Sequence, residues 1–275
     1  MLIIKDIYNL QTYLKAYRDK GYSIGYVPTM GALHEGHGSL IEKSRNDNQK
    51  TIISIFINEK QFNDAQDFEA YPRNKGDDYN FCEKYNVDII FEPSVEEIYP
   101  EEYKPIQNSH FKNILCDQYR PGHFDGVVNV LNRLFSIIES DKVYFGEKDF
   151  QQLKIVESLI KKDFSNLKLI PVPTVRSKEG VALSSRNAKL SKKQMDELIS
   201  FQKDVILFIA QLDSKIDLIE ANKKADEFIK GYEKFDYFEF RNSFNLSLEG
   251  NLKDSRLFYA IYKSNIRLID NLEIY

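Results

Sequence analysis

The chain has few cysteines, no long apolar run and no excess of basic residues. Its two cysteines, Cys82 and Cys116, are far apart and form no C-x-x-C pair, which predicts reduced thiols in a cytoplasmic protein. No segment approaches the roughly 18 apolar residues of a membrane-spanning helix, so we expect no membrane partner. The net charge of −4 argues against a general nucleic-acid-binding protein, which usually has a basic face.

The 275 residues are enough for two domains with full hydrophobic cores. Before Val175, five apolar runs alternate with helical patterns, which predicts a Rossmann-like, doubly wound parallel sheet. Beyond it, two helical segments precede three strand-like runs, which is typical of a smaller C-terminal α+β domain. We therefore expect an α/β fold with domains at residues 1–175 and 176–275. The five predicted strands of the parallel sheet are 24–27, 51–57, 87–91, 142–145 and 167–172.

The segment Ile24–Leu40 combines a predicted strand, a loop with Gly31 and Gly36, and a helix that begins near His37. Such a strand, glycine-containing loop and helix N-terminus present backbone N–H groups and a positive dipole end to an anion. His34 and His37 both lie in this segment. Either histidine alone is more typical of a surface or capping residue, but together they indicate contact with phosphate. The His-x-Gly-His motif after a first strand resembles the nucleotidyltransferase superfamily, whose members attack the α-phosphate of a nucleotide and release pyrophosphate.

Polar clusters at Asn58–Gln61, Gly146–Gln152 and Leu183–Arg186 fall on other predicted loops. Lys148 can place a positive charge beside a phosphate, and Asp149 can accept hydrogen bonds from ribose hydroxyls. Each cluster in isolation is typical of a solvated turn, so the interpretation depends on their occurring together.

Seven separated motifs occur in a fixed order: PTMGALHEGH, SIFIN..QF, YPR, RPGHFDGV, YFGEKDFQQL, VPTVR and LSSRN. They closely resemble the pantothenate synthetase (pantoate–β-alanine ligase) family over nearly the whole chain. The resemblance implies that pantoate attacks the α-phosphate of ATP to give pantoyl adenylate and pyrophosphate. β-Alanine then attacks the acyl carbon to give pantothenate and AMP. Adenylation needs no covalent enzyme nucleophile, but it needs orientation and charge stabilisation at the transferred phosphate.

The resemblance also implies roles for individual residues. His34 and His37 contact the phosphates of ATP, with His37 as the proton donor to the leaving group, and Lys148 and Arg186 complete the catalytic set. The implied ATP-binding residues are Met30, Gly31, Ala32, Leu33, His34, Glu35, Gly36, His37, Gly146, Glu147, Lys148, Asp149, Val175, Leu183, Ser184, Ser185 and Arg186.

Gln61 and Gln152 are the implied binding residues for pantoate, through its hydroxyl and carboxylate groups. The family uses Mg²⁺, which would be carried by the ATP phosphates and not by a cage of protein ligands. Asp77 and Asp78 could act as outer ligands, but the sequence favours a solvated helix face for both. A homodimer is implied by the resemblance alone.

Two positions depart from the family pattern. Gly38 stands where relatives usually carry a bulky apolar residue, and this predicts a first helical turn weakened by up to about 1 kcal/mol. We therefore expect Gly38→Leu to raise the melting temperature. Glu59 replaces a usual proline, which predicts a looser loop without loss of a ligand.

Four other interpretations remain open. A cytidylyl- or adenylyltransferase of the same superfamily should lack the pair Gln61 and Gln152. A class I aminoacyl-tRNA synthetase is disfavoured, because the chain is short, acidic and without an anticodon-binding region. A zinc protein using His34, His37 and Cys116 matches no usual ligand spacing. An ATP-sensing module without turnover would be distinguished by an activity assay.

Overall fold

The computed structural model describes residues 1–232 and 234–274, which form two compact units. The sequence predicts one boundary, after residue 175, and does not separate the two short segments that join the second unit. Glu233 and Tyr275, which belong to the predicted second domain, lie outside the described residues. The first unit comprises residues 1–112, 120–147 and 152–173, and the second comprises residues 113–119, 148–151 and the chain from residue 174 onward.

The first unit is built on a parallel sheet of six strands. These are β1 (Leu2–Ile4), β2 (Ile24–Thr29), β3 (Lys50–Ile55), β4 (Ile89–Phe91), β5 (Lys142–Gly146) and β6 (Lys168–Val172). Their order is β1-β4-β3-β2-β5-β6, and every neighbouring pair is parallel. The predicted doubly wound α/β sheet is therefore confirmed. The sequence pattern missed β1, because this strand has only three residues, two of them exposed.

Buried side chains from β2, β3 and the helices form the core of the first unit. Val27 and Ile53 are fully buried in the sheet, and Ile41 and Cys82 pack against them from two helices. Burying an aliphatic side chain of this size stabilises the fold by about 1.5–3 kcal/mol. Because both faces of the sheet are covered, residues 51–55 of β3 are all buried, without alternation of buried and exposed positions.

The helices follow the predicted order along the chain but differ from the prediction at their ends. The apolar periodicity predicts a helix over 126–139, and in the structure this helix begins at His123, directly after Gly122 in a left-handed conformation (φ 82°). Two short helices lie between residues 93 and 120, where the sequence predicts none. No helix in the described part of the chain is long and apolar enough to cross a membrane. The helices are α1 (Ile7–Asp19), α2 (Glu35–Asp47), α3 (Ala65–Glu69), α4 (Lys75–Lys84), α5 (Val95–Ile98), α6 (Leu115–Tyr119), α7 (His123–Ile138), α8 (Phe150–Asp163), α9 (Lys192–Ala210) and α10 (Leu218–Ile229).

The second unit is an antiparallel sheet of β7 (Phe235–Asn242), β8 (Ser255–Lys263) and β9 (Ile266–Glu273), in that order. Helices α9 and α10 supply the rest of its core, so the predicted smaller α+β fold is confirmed. The pattern Ser191-Lys192-Lys193-Gln194 predicts a capping box at the start of a helix. It is present, since the Ser191 N–H donates to Gln194 Oε1 (2.8 Å) and the Gln194 N–H donates to Ser191 Oγ (3.3 Å). This exchange fixes the start of α9.

Candidate functional site

The strand order of the parallel sheet reverses at β2. This strand pairs with β3 on one side and with β5 on the other. In open α/β sheets, ligands bind outside the carboxyl ends of the strands at such a point. Met30–Leu33 follow β2 there, Gly146 ends β5, and Glu147 follows it. The fold therefore brings two of the predicted ATP-binding segments to one edge of the sheet.

The loop after β2 turns through left-handed backbone at Gly31 (φ 79°) and Ala32 (φ 51°). Two consecutive N–H groups donate to one carboxylate: Ala32 N lies 3.0 Å from Asp78 Oδ2, and Leu33 N lies 2.7 Å from Asp78 Oδ1. A Cβ on Gly31 would lie 2.7 Å from Asp78 Oδ2, so only glycine fits. Asp78 is 5% exposed, and the prediction that it belongs to a solvated helix face is wrong. A first-turn acidic residue on α4 gives no local sign of partners in a distant loop.

Helix α2 begins at Glu35, two residues before the predicted start, because two histidines cap it. The Gly36 N–H donates to His34 Nδ1 (3.1 Å), and the His34 N–H donates to His37 Nδ1 (3.2 Å). This is the arrangement of a capping box, with imidazoles in the places that Ser and Gln occupy in α9. Glycine suits position 36, because a Cβ would lie 2.8 Å from the His34 ring and would displace it from its capping position.

The capping bonds determine which nitrogen of each histidine carries the proton. An Nδ1 that accepts a hydrogen bond is unprotonated, so the proton of the neutral ring is on Nε2. Both His34 and His37 are therefore Nε2–H donors, and their ring centroids are 4.2 Å apart. Two such donors at the positive end of a helix suit an anion. The arrangement favours hydrogen-bond donation by His37 over transfer of a proton.

Gln61 is fixed beside this loop in the first unit. Its Nε2 donates to Met30 Sδ (2.8 Å), and its Oε1 accepts from Asn58 Nδ2 (3.2 Å). Asn58 is 1% exposed and also donates to the Gly126 carbonyl (3.0 Å). Residues 59–61 form a single 3-10 turn that starts at Glu59. Gln152, the other predicted pantoate-binding residue, lies half-buried in the first turn of α8.

Two residues without a predicted role hold the Gln61 backbone. His123 Nδ1 donates to the Gln61 carbonyl (2.7 Å), and Arg120 donates to the same oxygen (3.3 Å) and to His123 Nε2 (3.1 Å). His123 is therefore an Nδ1–H donor, the opposite of His34 and His37. Both residues belong to the RPGHF motif, and this motif is the feature of the sequence that could have pointed to them.

A pocket in the second unit is lined by Lys148, Ser184 and Arg186, three residues with predicted roles at the ATP phosphates. The Lys148 side chain is 18% exposed, and its Nζ lies 3.8 Å from the Asp149 carboxylate. Ser184 Oγ accepts from the Arg186 N–H (3.3 Å) and thereby caps the 3-10 turn that begins at Ser185. Two cations and a hydroxyl at one pocket suit a polyanion.

A buried polar network supports Lys148. Asn271 Nδ2 donates to the Lys148 carbonyl (3.0 Å), and Arg176 donates to the Asn271 carbonyl (2.8 Å). Arg176 also binds both carboxylate oxygens of Asp270 (2.6 and 3.0 Å). Tyr259 contributes a further hydrogen bond to Asp270 (3.2 Å). Breaking a buried pair of this kind by removing one partner costs about 3–5 kcal/mol.

The remaining predicted residues are placed as follows. The Leu183 N–H donates to the Val175 carbonyl (3.0 Å), so these two predicted ATP contacts are adjacent in the second unit. Glu35 accepts from Tyr85 Oη and from Lys84 Nζ (3.1 Å), and these hydrogen bonds lower the pKa of its carboxyl. Glu35 is therefore engaged by the end of α4.

A steric reason, which the sequence does not reveal, explains why position 38 is a glycine. A Cβ at this position would lie 2.5 Å from the ring of Tyr85, whose hydroxyl binds Glu35. Tyr85 also packs on Phe81, with ring centroids 4.7 Å apart. The space beside Gly38 is thus filled by Tyr85, so we expect Gly38→Leu to lower the melting temperature, opposite to the sequence-based prediction.

The described residues contain no group of three or more His, Cys, Asp or Glu side chains that could hold a metal ion. Cys82 and Cys116 are free and buried. The two histidines of the zinc hypothesis, His34 and His37, use their Nδ1 atoms as helix caps.

Residues 2–273 match the family described as pantoate-beta-alanine ligase. Pantothenate synthetase from Caldicellulosiruptor bescii is 37% identical over 286 aligned residues, covering 100% of this chain and 99% of that protein. The Aquifex aeolicus enzyme of the same name is 38% identical and covers 99% of both chains. The crystal structure of pantothenate synthetase from Thermus thermophilus superposes with a TM-score of 0.88 at 31% identity, over 100% of each chain. Pantoate-beta-alanine ligase from Francisella tularensis, complexed with beta-gamma ATP and beta-alanine, has a TM-score of 0.83 at 34% identity, over 99% of this chain and 97% of that one.

Proposed function

The chain belongs to the pantoate–β-alanine ligase family, and we propose how its residues carry out the family's reaction. It is an ATP-dependent ligase that condenses pantoate with β-alanine to give pantothenate, AMP and pyrophosphate. The alternatives of a sibling transferase, a tRNA synthetase, a zinc protein and a binding module without turnover have no comparable support.

The reaction proceeds through pantoyl adenylate. In the first step a carboxylate oxygen of pantoate attacks the α-phosphorus of ATP, the bond to the bridging oxygen breaks, and pyrophosphate leaves. In the second step the amine of β-alanine attacks the acyl carbon, AMP leaves, and the nitrogen releases a proton. Neither step forms a bond to the protein, so binding, orientation and charge stabilisation are what the residues must supply.

The histidine capping box is the observation that carries the assignment of roles. Its two Nε2–H groups donate to phosphate oxygens of ATP at the N-terminus of α2, where negative charge grows as pyrophosphate departs. Lys148 and Arg186 neutralise phosphate charge from the pocket of the second unit. Gln61, fixed by Asn58 and Met30, and Gln152 bind pantoate.

Mg²⁺ accompanies ATP as the complex with its phosphates, where it supplies further charge neutralisation. The donors of the loop fit this role, because N–H groups of imidazole and backbone bind phosphate oxygens and not cations. The buried carboxylate that contacts the loop, Asp78, accepts two backbone N–H groups. The protein therefore binds the phosphates, and the phosphates bind the metal.

Three broader predictions accompany this function. Residues 176–275 act as a lid over the ATP phosphates, which small-angle scattering with and without a non-hydrolysable ATP analogue would test. The protein is a homodimer, which light scattering would test. It works in the cytoplasm, where ATP is available and where the free, buried thiols of Cys82 and Cys116 stay reduced.

The test of the function is AMP release from ATP and Mg²⁺ with pantoate, in the presence and absence of β-alanine. We expect multiple turnover and pantothenate only when both substrates are present. Binding of ATP without turnover in the complete mixture would contradict the assignment and favour a binding module.

A further inference from the structure

Residues 30–37, which we call the ATP loop, contain an anion site that a carboxylate of the protein itself occupies. Successive left-handed residues, Gly31 and Ala32, turn the backbone so that neighbouring N–H groups converge on one point. Such a concavity of N–H groups binds phosphates in many proteins. Here the point of convergence holds the carboxylate of Asp78, with N–O distances of 3.0 and 2.7 Å.

The carboxyl group of Asp78 differs from the acidic groups around it in its surroundings. Burial raises the pKa of its carboxyl, against the effect of the two backbone N–H groups. The next carboxylate along α4, Asp77, is exposed. Glu92 faces the same helix, but it is bound by Lys75 Nζ (2.5 Å) and Tyr79 Oη (2.7 Å). The hydrogen-bonding partners that Asp78 has in the structure are therefore in the ATP loop.

We propose that Asp78 is a positioning residue of the ligase, which holds the backbone of Gly31–Leu33 so that His34 and His37 donate to the ATP phosphates. This role rests on the proposed function of the two histidines. Leu33 immediately precedes His34, so the carboxylate restrains the chain one residue before the cap of α2. It follows that the N–H groups of Ala32 and Leu33 hold Asp78, and ATP is bound by the histidines beyond them.

A carboxylate is suited to this place because two donors need two acceptor oxygens. In Asp78→Asn one oxygen is replaced by an NH₂ group, which would face a backbone N–H. The loop then has to shift, while the volume of the buried side chain is conserved. Asp78→Ala removes both acceptors without introducing a donor. The two variants should therefore disturb the same loop by different means.

The experiment measures the two half-reactions separately in the full-length protein. The first is pantoate-dependent exchange of labelled pyrophosphate into ATP, and the second is conversion of synthetic pantoyl adenylate and β-alanine to pantothenate. We expect Asp78→Asn and Asp78→Ala to slow the exchange about tenfold or more, because small misplacements of a catalytic group are costly. The second half-reaction, which expels no pyrophosphate, should stay within about threefold of the wild type.

Asp77→Asn is the matched control, since it removes the same charge from the same helix turn at an exposed position. Both of its half-reactions should resemble those of the wild type. A wild-type exchange rate in both Asp78 variants would overturn the proposal, and so would equal slowing of the two half-reactions together with a lower melting temperature. Failure of the wild type itself in both half-reactions would instead overturn the proposed function.

Discussion

The two units differ in the kind of group that each offers to a phosphate. In the first unit the donors belong to a glycine turn and to two histidines that cap a helix, and the shape of the backbone determines where they lie. In the second unit the donors are the long side chains of Lys148 and Arg186, next to a network of buried side chains that includes Arg176 and Asp270. In the proposed mechanism, the first unit supplies neutral hydrogen-bond donors with a fixed direction, and the second unit supplies charge.

This difference indicates what each part should tolerate. A backbone-built site depends on a few residues that only certain side chains can replace, such as Gly31, because a Cβ there would contact Asp78. A site built from charged side chains depends on the neighbouring residues that hold them in place. Asn271 does this for Lys148 by donating a hydrogen bond to its carbonyl. Replacing a residue that contacts phosphate and replacing a residue that only holds it in place should therefore have different effects in the two units.

The largest effect is expected from removing the charge of the second unit. Lys148→Ala should lower kcat/KM for ATP by about 100-fold, equivalent to about 2.7 kcal/mol, since a half-buried ammonium loses its contact with phosphate charge. Steady-state kinetics with varied ATP would measure this. Lys161→Ala, which removes an exposed ammonium paired with Glu157, is the control and should leave the kinetics unchanged. Similar losses in both variants would show that overall charge matters and the pocket does not.

The Nε2–H donors of His34 and His37 can be removed while a side-chain cap of helix α2 is kept. The double variant His34→Ser with His37→Gln writes the capping box of α9 into α2, so the helix start should be preserved. We expect kcat to fall about 30-fold as the Nε2–H donors disappear, with unfolding free energy within about 1 kcal/mol of the wild type. Kinetics and thermal melting together provide the measurement.

The exposed His110 provides the control for that variant, as His110→Gln. It should change neither kcat nor melting temperature. Retention of full activity by the double variant would mean that the two histidines serve only the helix, and the contrast between the units would then be lost.

A smaller effect is expected from the support of Lys148. Asn271→Asp keeps the side-chain shape but removes the donor to the Lys148 carbonyl, so KM for ATP should rise about fivefold with little change in kcat. Asn222→Asp is the control, because Asn222 Nδ2 makes a similar bond to the Phe240 carbonyl elsewhere in the unit. Both variants should lose stability, but only the first should change KM. An equal change in KM would contradict a specific role for Asn271.

The smallest effect on catalysis is expected in the first turn of α2, where the change should be in stability. Gly38→Leu should displace Tyr85 and lower the unfolding free energy by about 1–3 kcal/mol, as is usual for overpacking. Gly76→Leu in the first turn of α4 is the control, since its Cβ would meet no atom closer than 3.8 Å. Melting curves of the two variants would distinguish them, and a stabilised Gly38→Leu would contradict the steric explanation.

In both units the sequence predicts local patterns and misses contacts between distant residues. The apolar runs of β2 and β3, and the Ser191–Gln194 capping box, are local patterns and were identified. The partnership of Asp78 with Leu33 joins residues 45 positions apart, and no local pattern of α4 distinguishes it from the exposed Asp77. Motif resemblance singles out Lys148 and Arg186 as site residues, but it gives no indication of the buried network next to the lysine.

The sequence also does not predict which ring nitrogen of each histidine carries the proton. The motif draws attention to His34 and His37, yet the role of their Nδ1 atoms depends on where α2 begins. His123, with the opposite tautomer, lies in a motif that was noted without a role. Residue identity is readable from sequence, whereas the direction of a hydrogen bond follows from the folded backbone.

The central claim is that the pantoate carboxylate attacks the α-phosphorus of ATP. The most direct measurement uses pantoate labelled with ¹⁸O in both carboxylate oxygens, followed by mass spectrometry of the products of a complete reaction. Attack at the α-phosphorus predicts one ¹⁸O in the phosphate of AMP and none in pyrophosphate. AMP without label, or label in pyrophosphate or inorganic phosphate, would contradict the adenylate route and the roles assigned to both units.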